Sequence, residues 1–507
     1  MLVMLSVALQ WRLNERFTSE LGAFPDEPAH YVTGVMILEY VRTRLGASPL
    51  EFAAQFYDSY PKVALGNWPP GFYLLQLPWL MGIGDTPSRL LVGMAVLAGL
   101  TAFMLARLAS RCLPEWIAVS AAVLWLMSPL SLALSGSVMT EVPLAFMCLL
   151  SIQAWLYFSE QPSATRAGVF GLAVGLAILV KASAAGVAAV IATGVREHAA
   201  RTRWQAGLGL GTALLIGGPW TIYFREQSRA GWMFAGPTLK FTLPAAAFYL
   251  GRAPVAFGWV ATAGLVLWCV RLARAQTLLV ERAAGMSVAA LLLISVTVPA
   301  GFEERHLLPA LAPVLLLAAS GYWQTVRRSV GPANAPRLMA FVVLVALLEY
   351  VSAWQQPMRR VMGYRVLAEA AVSVCARPCT LLVASDSEGE GALVAEVLAR
   401  RSLGGVSVVR ASKVLASSDW AGRGYRPVVH STGDVLRVLA EHSVDLIVLD
   451  DVAVSKVDGR LLAATIEERR YRRLKASAVL RTVSTPFGGT RRGHATLYTL
   501  AGSPLQW

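Results

Sequence analysis

Charge is what this 507-residue chain has least of. Only 15% of its residues are Asp, Glu, Lys or Arg, against about 25% in soluble domains, which excludes a disordered chain, a coiled coil and an ordinary cytosolic enzyme. Cysteine is also scarce, and five of them cannot make a disulfide scaffold. Cys112, Cys148 and Cys269 lie in or beside apolar runs and read as packing; Cys375 and Cys379 sit close together, as a bridge or as two thiols depending on the compartment. No His, Cys and acid cluster has metal-ligand spacing. The Gly389–Gly391 run lacks a third glycine, since position 394 is Val394, so no dinucleotide fingerprint is present. Residues 1–11 are apolar but lack a small-residue cleavage site, and read as a first membrane helix cut short rather than a signal peptide.

What is present is hydrophobicity: 56% of the chain, with a mean hydropathy of +0.54. The apolar runs end near Trp354. Crossing a bilayer takes about 20 apolar residues, and beyond residues 1–11 such runs fall at 89–108, 114–134, 142–158, 167–180, 182–195, 204–224, 254–270, 284–299, 307–322 and 338–354. The expectation is an α-helical polytopic membrane domain of about 11 helices, residues 1–357, followed by a small soluble α/β domain, residues 358–507. Residues 360–507 hold 20 Lys+Arg and 14 Asp+Glu, leaving a surplus of +8 for the membrane part. Such a surplus reflects loop charges that set orientation, and no nucleic-acid partner is expected.

Twelve basic residues fall in alternate loops: Arg107, Arg111, Arg166, Arg196, Arg201, Arg203, Arg271, Arg274, Arg282, Arg327, Arg328 and Arg337. By the positive-inside rule these loops are cytoplasmic. The first long loop, residues 14–88, and the C-terminal domain then face outward, and the expected location is a bacterial-type inner (plasma) membrane.

The first outer loop is too long for a connector. It holds Phe24-Pro25-Asp26-Glu27-Pro28-Ala29-His30-Tyr31, then an amphipathic stretch at 35–41 that reads as a helix lying in the membrane interface. Further on comes Gly66-Asn67-Trp68-Pro69-Pro70-Gly71-Phe72-Tyr73, whose aromatic residues suit a membrane–water boundary. Asp26-Glu27 reads first as a helix start, with Asp26 capping and Glu27 favouring the dipole, which is compatible with a carboxylate held rigidly at a site.

An Asp-Glu pair after the first membrane helix, interfacial helices and a Trp-Pro-Pro element together resemble the GT-C glycosyltransferases, nearest the glycosyltransferase 39, ArnT/PMT-like group. Ser137-Val138-Met139-Thr140-Glu141-Val142-Pro143 and Glu304-Arg305-His306-Leu307-Leu308-Pro309 also fit, so the resemblance covers roughly residues 1–354. It implies an inverting transferase moving a hexose or pentose from a polyprenyl-phosphate carrier to an acceptor (lipid, glycan or protein) at the outer face. Asp26 matches the family's catalytic aspartate and is the expected base, with Glu27 orienting it or the sugar; Lys62 loosely matches a lysine near the carrier phosphate.

Physical chemistry adds candidates. Arg305 has the fork to hold two phosphate oxygens, or pairs with Glu303 or Glu304. Lys181, between two apolar runs, is a site residue by default, or snorkels to the interface. Glu141 pairs with one of these cations or follows a Thr140 cap. Tyr31, Trp68, Tyr73 and Glu304 complete the expected pocket, with His30 and His306 as acceptor contacts or polar boundary residues. No obligatory metal or cofactor is expected, though room remains for a divalent cation. The loop at 225–250 could cover the site. A convergence of Asp26 and Arg305 on one scissile bond is the central expectation; the competing class is a secondary transporter or flippase, against which stands the lack of an internal repeat.

The C-terminal part alternates apolar runs at 380–384, 406–409, 445–449, 478–483 and 495–500 with helical patterns at 389–401, 432–441 and 461–473. This predicts a small layer with a mainly parallel sheet. Ser385-Asp386-Ser387-Glu388 and Asp450-Asp451 fall at strand-to-helix turns, where ligands bind in such sheets; the acids of the first favour a structural turn, and Asp450-Asp451 stays open to either reading.

Overall fold

The computed structural model describes residues 1–499 apart from 14, 195–199, 228–238, 275, 300, 355–358, 376, 419–423 and 483–489. The chain divides into two compact units along other lines than the 1–357 and 358–507 expected from composition. One comprises Met1–Arg16, Leu65–Leu75 and Val92–Gln355, the other Phe17–Ala64, Gln76–Leu91 and Gln356–Trp507.

The first unit is helical. Among the described residues four helices are long and apolar enough to cross a membrane: Pro87–Ala109, Glu141–Glu160, Leu279–Thr297 and the run Glu304–Ser352. Two bent pairs raise this to six, so the expected eleven are only partly matched by regular helices. The breaks have local causes. Ser128 precedes Pro129, which disfavours helical backbone there; Ser128 is extended (ψ 138°), its hydroxyl accepts from Ser131 N, and the chain bends by 62°. Gly258 has φ +89°, a conformation that costs only glycine nothing, and the helices on either side meet at 111°. The runs expected at 167–180 and 182–195 form Ala164–Val180 and a 3-10 stretch, Ala182–Thr193, parted at an extended Lys181. The runs at 307–322 and 338–354 form one helical segment, Leu308–Ala353, turned at Gly331.

The second unit is built on a sheet. Its strands are β1 (Arg360–Met362), β2 (Cys379–Ala384), β3 (Val406–Arg410), β4 (Ala416–Ser417), β5 (Arg426–Pro427), β6 (Val444–Asp450), β7 (Arg472–Thr482) and β8 (Thr490–Thr499). β4 and β5 pair alone, while the others form a six-stranded sheet in the order β1-β7-β8-β6-β2-β3. Only β3, β2 and β6 run parallel; β8, β7 and β1 each pair antiparallel, so the sheet is half parallel rather than mainly so. The helix expected at 461–473 ends at Glu468, and β7 starts six residues before the strand expected at 478–483.

Residues 17–64 pack into this unit. Glu20 closes the N-terminus of helix Tyr364–Val374, accepting from Gly363 N at 3.0 Å, Tyr364 N at 2.8 Å and Arg365 N at 3.2 Å. Helix Glu27–Thr43 buries Tyr31, Val32, Val35, Met36 and Leu38. The stretch expected to lie in the membrane interface is therefore wrapped in protein, because its apolar face meets the C-terminal residues: Pro28 sits beside Gly391, and Glu39 pairs with Arg401 at 3.1 Å. Cys375 and Cys379 form a disulfide across a Cα–Cα distance of 6.1 Å.

The sheet's crevice, where a ligand would bind, is filled from within. Asp386 caps helix Ser387–Leu398 by accepting from Gly389 N at 2.8 Å. Arg481 of β7 lies between Asp386 (2.8 Å) and the fully buried Asp450 (2.5 Å), which also accepts from Ser385 Oγ and Tyr364 Oη. Both acidic turns are structural. Removing one partner of a buried pair costs about 3–5 kcal/mol, so Arg481→Met should lower the thermal midpoint of the full chain by several degrees. An unpaired buried carboxylate binds protons more readily in the folded state than in the unfolded one, so the deficit should shrink between pH 7 and 5. Adding Asp450→Asn should recover part of it at pH 7; a melting curve unchanged by Arg481→Met would show the crevice to be strain-free without its cation.

Candidate active site

In the first unit four chain segments bring ionisable side chains together. Glu141 opens helix Glu141–Glu160 and is completely buried. Thr140 stands at the cap position but its side chain makes no capping bond; Glu141 is held by Lys181 instead, Nζ to Oε1, at 2.8 Å. Lys181 reaches it because the helix ends one residue earlier. That break is buttressed by the Trp-Pro-Pro element, where a Cβ on Gly71 would come within 2.6–2.8 Å of the Leu179 and Val180 backbone. Only glycine fits there, which gives Pro70-Gly71 a packing role. Phe72 and Tyr73 are buried beside it and Trp68 is half-buried.

The 3-10 turn Glu304–Leu307 supplies the second cation. Arg305 Nε lies 3.9 Å from the same Glu141 oxygen and pairs closely with Glu303. Glu141 Oε2 is buried with no hydrogen-bond partner among the described residues. Helix Leu239–Phe257 closes the group: Tyr249 Oη meets His306 Nδ1 at 3.0 Å, Arg252 pairs with Glu304 at 3.1 Å, and Phe248 stacks on Phe302 at 5.5 Å. Tyr249 and Arg252 went unread in the sequence; their i, i+3 spacing on an apolar helix was the available signal. Glu304 and Arg252 are both over 40% exposed, so that pair contributes little. Residues 228–238, within the loop expected to cover the site, lie outside the described residues.

The second unit holds the carboxylate pair. Asp26 precedes helix Glu27–Thr43 and is 9% exposed, yet its side chain makes no bond to the helix's N–H groups. The capping reading therefore fails: Asp26 keeps backbone of helical type (φ −81°, ψ −26°), where the side chain cannot turn back as an extended cap residue does. Glu27 is engaged locally, accepting from Ala23 N at 2.9 Å. His30 is buried, and Tyr31 donates to Asp85 O at 2.7 Å. Asp85 in turn meets Arg401 at 2.6 Å; this guanidinium overcomes the opposing effect of burial and holds the carboxyl below its usual range.

Lys62 donates to Pro25 O at 3.2 Å and Ser387 O at 3.3 Å, pinning the turn that presents Asp26. Burial, then the Arg410 guanidinium, push its ammonium down to about 7, against the pull of Glu390, Asp26 and Glu388. The unfolded lysine titrates near 10.4, so between these values the unfolded state binds more protons and stability rises with pH. Lys62→Met should therefore flatten the rise in thermal midpoint between about pH 7 and 10; a slope equal to the wild type would place the Lys62 proton elsewhere. Among the described residues no group of three His, Cys, Asp or Glu side chains is arranged to hold a metal ion.

The profile of the dolichyl-phosphate-mannose-protein mannosyltransferase family matches residues 68–223. Among solved structures, ArnT from Cupriavidus metallidurans, bound to undecaprenyl phosphate, superposes with a TM-score of 0.54 at 14% identity, over 98% of this chain and 97% of that one. The chain has a fold of the GT-C type. The GT-C fold is shared with the Archaeoglobus fulgidus oligosaccharyltransferase in its apo form, with a TM-score of 0.56, 12% identity, and 99% and 74% of the two chains covered. The same coverage of that neighbour and the same TM-score hold for its complex with an inhibitory peptide and a dolichol-phosphate. No curated protein sequence matches this GT-C chain.

Proposed function

We propose that this GT-C protein transfers a hexose or pentose from a polyprenyl-phosphate carrier to an acceptor at the outer membrane face, with inversion. The observation that carries this is the Lys181–Glu141–Arg305 group, two cations held on one buried carboxylate. A leaving phosphate needs fixed positive charge, and Glu141 fixes both side chains without needing to leave. Glu303, 42% exposed where Glu141 is buried, is the carboxylate that a phosphate would replace at Arg305. The ArnT neighbour bound to undecaprenyl phosphate and the oligosaccharyltransferase bound to dolichol-phosphate support a carrier of this class.

In the proposed reaction Asp26 takes the proton of an acceptor hydroxyl or amine. The acceptor's lone pair attacks the anomeric carbon, the bond from that carbon to the phosphate oxygen breaks, and polyprenyl phosphate leaves as an anion at Arg305 and Lys181. A single displacement inverts the anomeric centre. Glu27, bonded to the Ala23 backbone, holds the turn, while His30, Tyr31, Trp68 and Tyr73 are proposed to shape the sugar and acceptor space. His306, fixed by Tyr249, is proposed to position the Arg305 turn. No metal is assigned a step, and chelation should leave the rate unchanged. The outward orientation rests on the loop charges and suits the Cys375–Cys379 bridge, which an oxidising compartment favours.

The test incubates the purified chain in lipid with labelled polyprenyl-phosphate sugars and acceptor extract. Label should leave the carrier for a new product. The two bent helix pairs are a feature shared with transporters, and label that crosses vesicles while still joined to its carrier would establish that reading instead.

A further inference from the structure

The second unit contains an open pocket of about 470 Å³ that the proposed reaction does not use. Its size lies within the ~300–1,000 Å³ of small-molecule sites. One wall is the helix Pro49–Ser59, which carries Phe52 and Phe56 four residues apart and ends at Tyr60. With Tyr40 they form an aromatic ladder, with centroids 5.6 Å apart for Tyr40–Phe52, 6.0 Å for Phe52–Phe56 and 5.2 Å for Phe56–Tyr60.

Glu39, Arg401 and Ser402 complete the lining. Arg401 spends its guanidinium on Glu39 (3.1 Å), Asp85 (2.6 Å) and Leu398 O (3.3 Å), which fixes a planar group at the rim and cancels its charge. The Gln55 carboxamide and the Ser59, Tyr60 and Ser402 hydroxyls have no hydrogen-bond partner among the described residues.

We propose that this pocket binds one uncharged pyranoside unit of a glycan. Aromatic faces beside uncommitted amide and hydroxyl groups match a ring with apolar C–H faces and an equator of hydroxyls. A bare phosphate finds no net positive charge here, because Glu39 balances Arg401, and a lipid chain would meet too many polar groups. The inference stands apart from the assignment of Asp26.

Saturation-transfer NMR on the full chain in detergent, with methyl α-D-mannopyranoside and methyl β-D-glucopyranoside as probes, tests it. At least one should give signal with a dissociation constant in the ~1–10 mM range. Signal should fall at least about fivefold in Phe52→Ala/Gln55→Ala, as loss of a stacking or hydrogen-bonding contact implies. It should fall likewise in Ser402→Trp, which fills the mouth from an exposed position and decides the matter if the double variant misfolds. Tyr57→Ala, exposed on the same helix and outside the pocket, should keep the signal. So should Asp26→Asn, which separates this binding from the transfer reaction. Absence of pyranoside signal, signal surviving Ser402→Trp, or signal given only by methyl phosphate or Ala-Ala-Ala would overturn the proposal.

Discussion

Asp26→Asn should reduce sugar transfer by about 10²–10⁴-fold, the usual contribution of a positioned base, while donor binding stays near the wild type. The substitution keeps shape and removes only the capacity to take a proton. Because the Asp26 side chain does not cap helix Glu27–Thr43, no capping contribution of about 1 kcal/mol is lost. Glu27→Gln is the informative companion: its carboxylate accepts from the Ala23 backbone, so it should loosen the turn and alter KM as well as kcat. Steady-state kinetics on both variants reads the difference, and wild-type turnover by Asp26→Asn would remove Asp26 as the base.

The second large effect is expected at Lys181. Lys181→Met leaves the buried Glu141 without its 2.8 Å partner, and breaking such a pair costs about 3–5 kcal/mol. Transfer should fall too, by about 10²–10³-fold if the ammonium also faces the departing phosphate. The paired variant Lys181→Met/Glu141→Gln discriminates between the two losses, since it removes the orphaned charge along with the cation. Stability should largely return in the double variant while transfer stays low. Recovery of both would make Lys181 a structural counterion only; recovery of neither would point to packing around the break at Val180.

Much of this architecture was legible in the sequence. The helical, apolar character of much of the chain follows from where charge is missing, although the bounds of the two compact units do not, and β2, β3 and β6 are short apolar runs bounded by turn residues. The antiparallel half of the sheet was harder to read, because β7 is long, basic and mostly half-exposed and so lacks a run of buried residues. Helix Glu27–Thr43 illustrates a different limit. Its apolar stripe was visible, but a stripe announces only that something covers it, and lipid and protein are equally apolar. Lys181 was marked by its setting, as an ion among apolar residues must find a partner; Glu141 was expected to pair with one of the cations, and only packing settles that Lys181 holds it at 2.8 Å while Arg305 stands at 3.9 Å. Gly71 was read within a motif, whereas its role against Leu179 appears only in three dimensions.

The chain passes between its two compact units five times, at residues 16/17, 64/65, 75/76, 91/92 and 355/356. Excision of the sheet by stopping near residue 355 would therefore not detach a module. It would strand helix Glu27–Thr43 with its buried face uncovered, and the turn at Pro25 would lose the anchor that Lys62 makes to Ser387. The tail is woven into the loop that carries Asp26, so truncations of this region should cost the fold of that loop as well as the sheet.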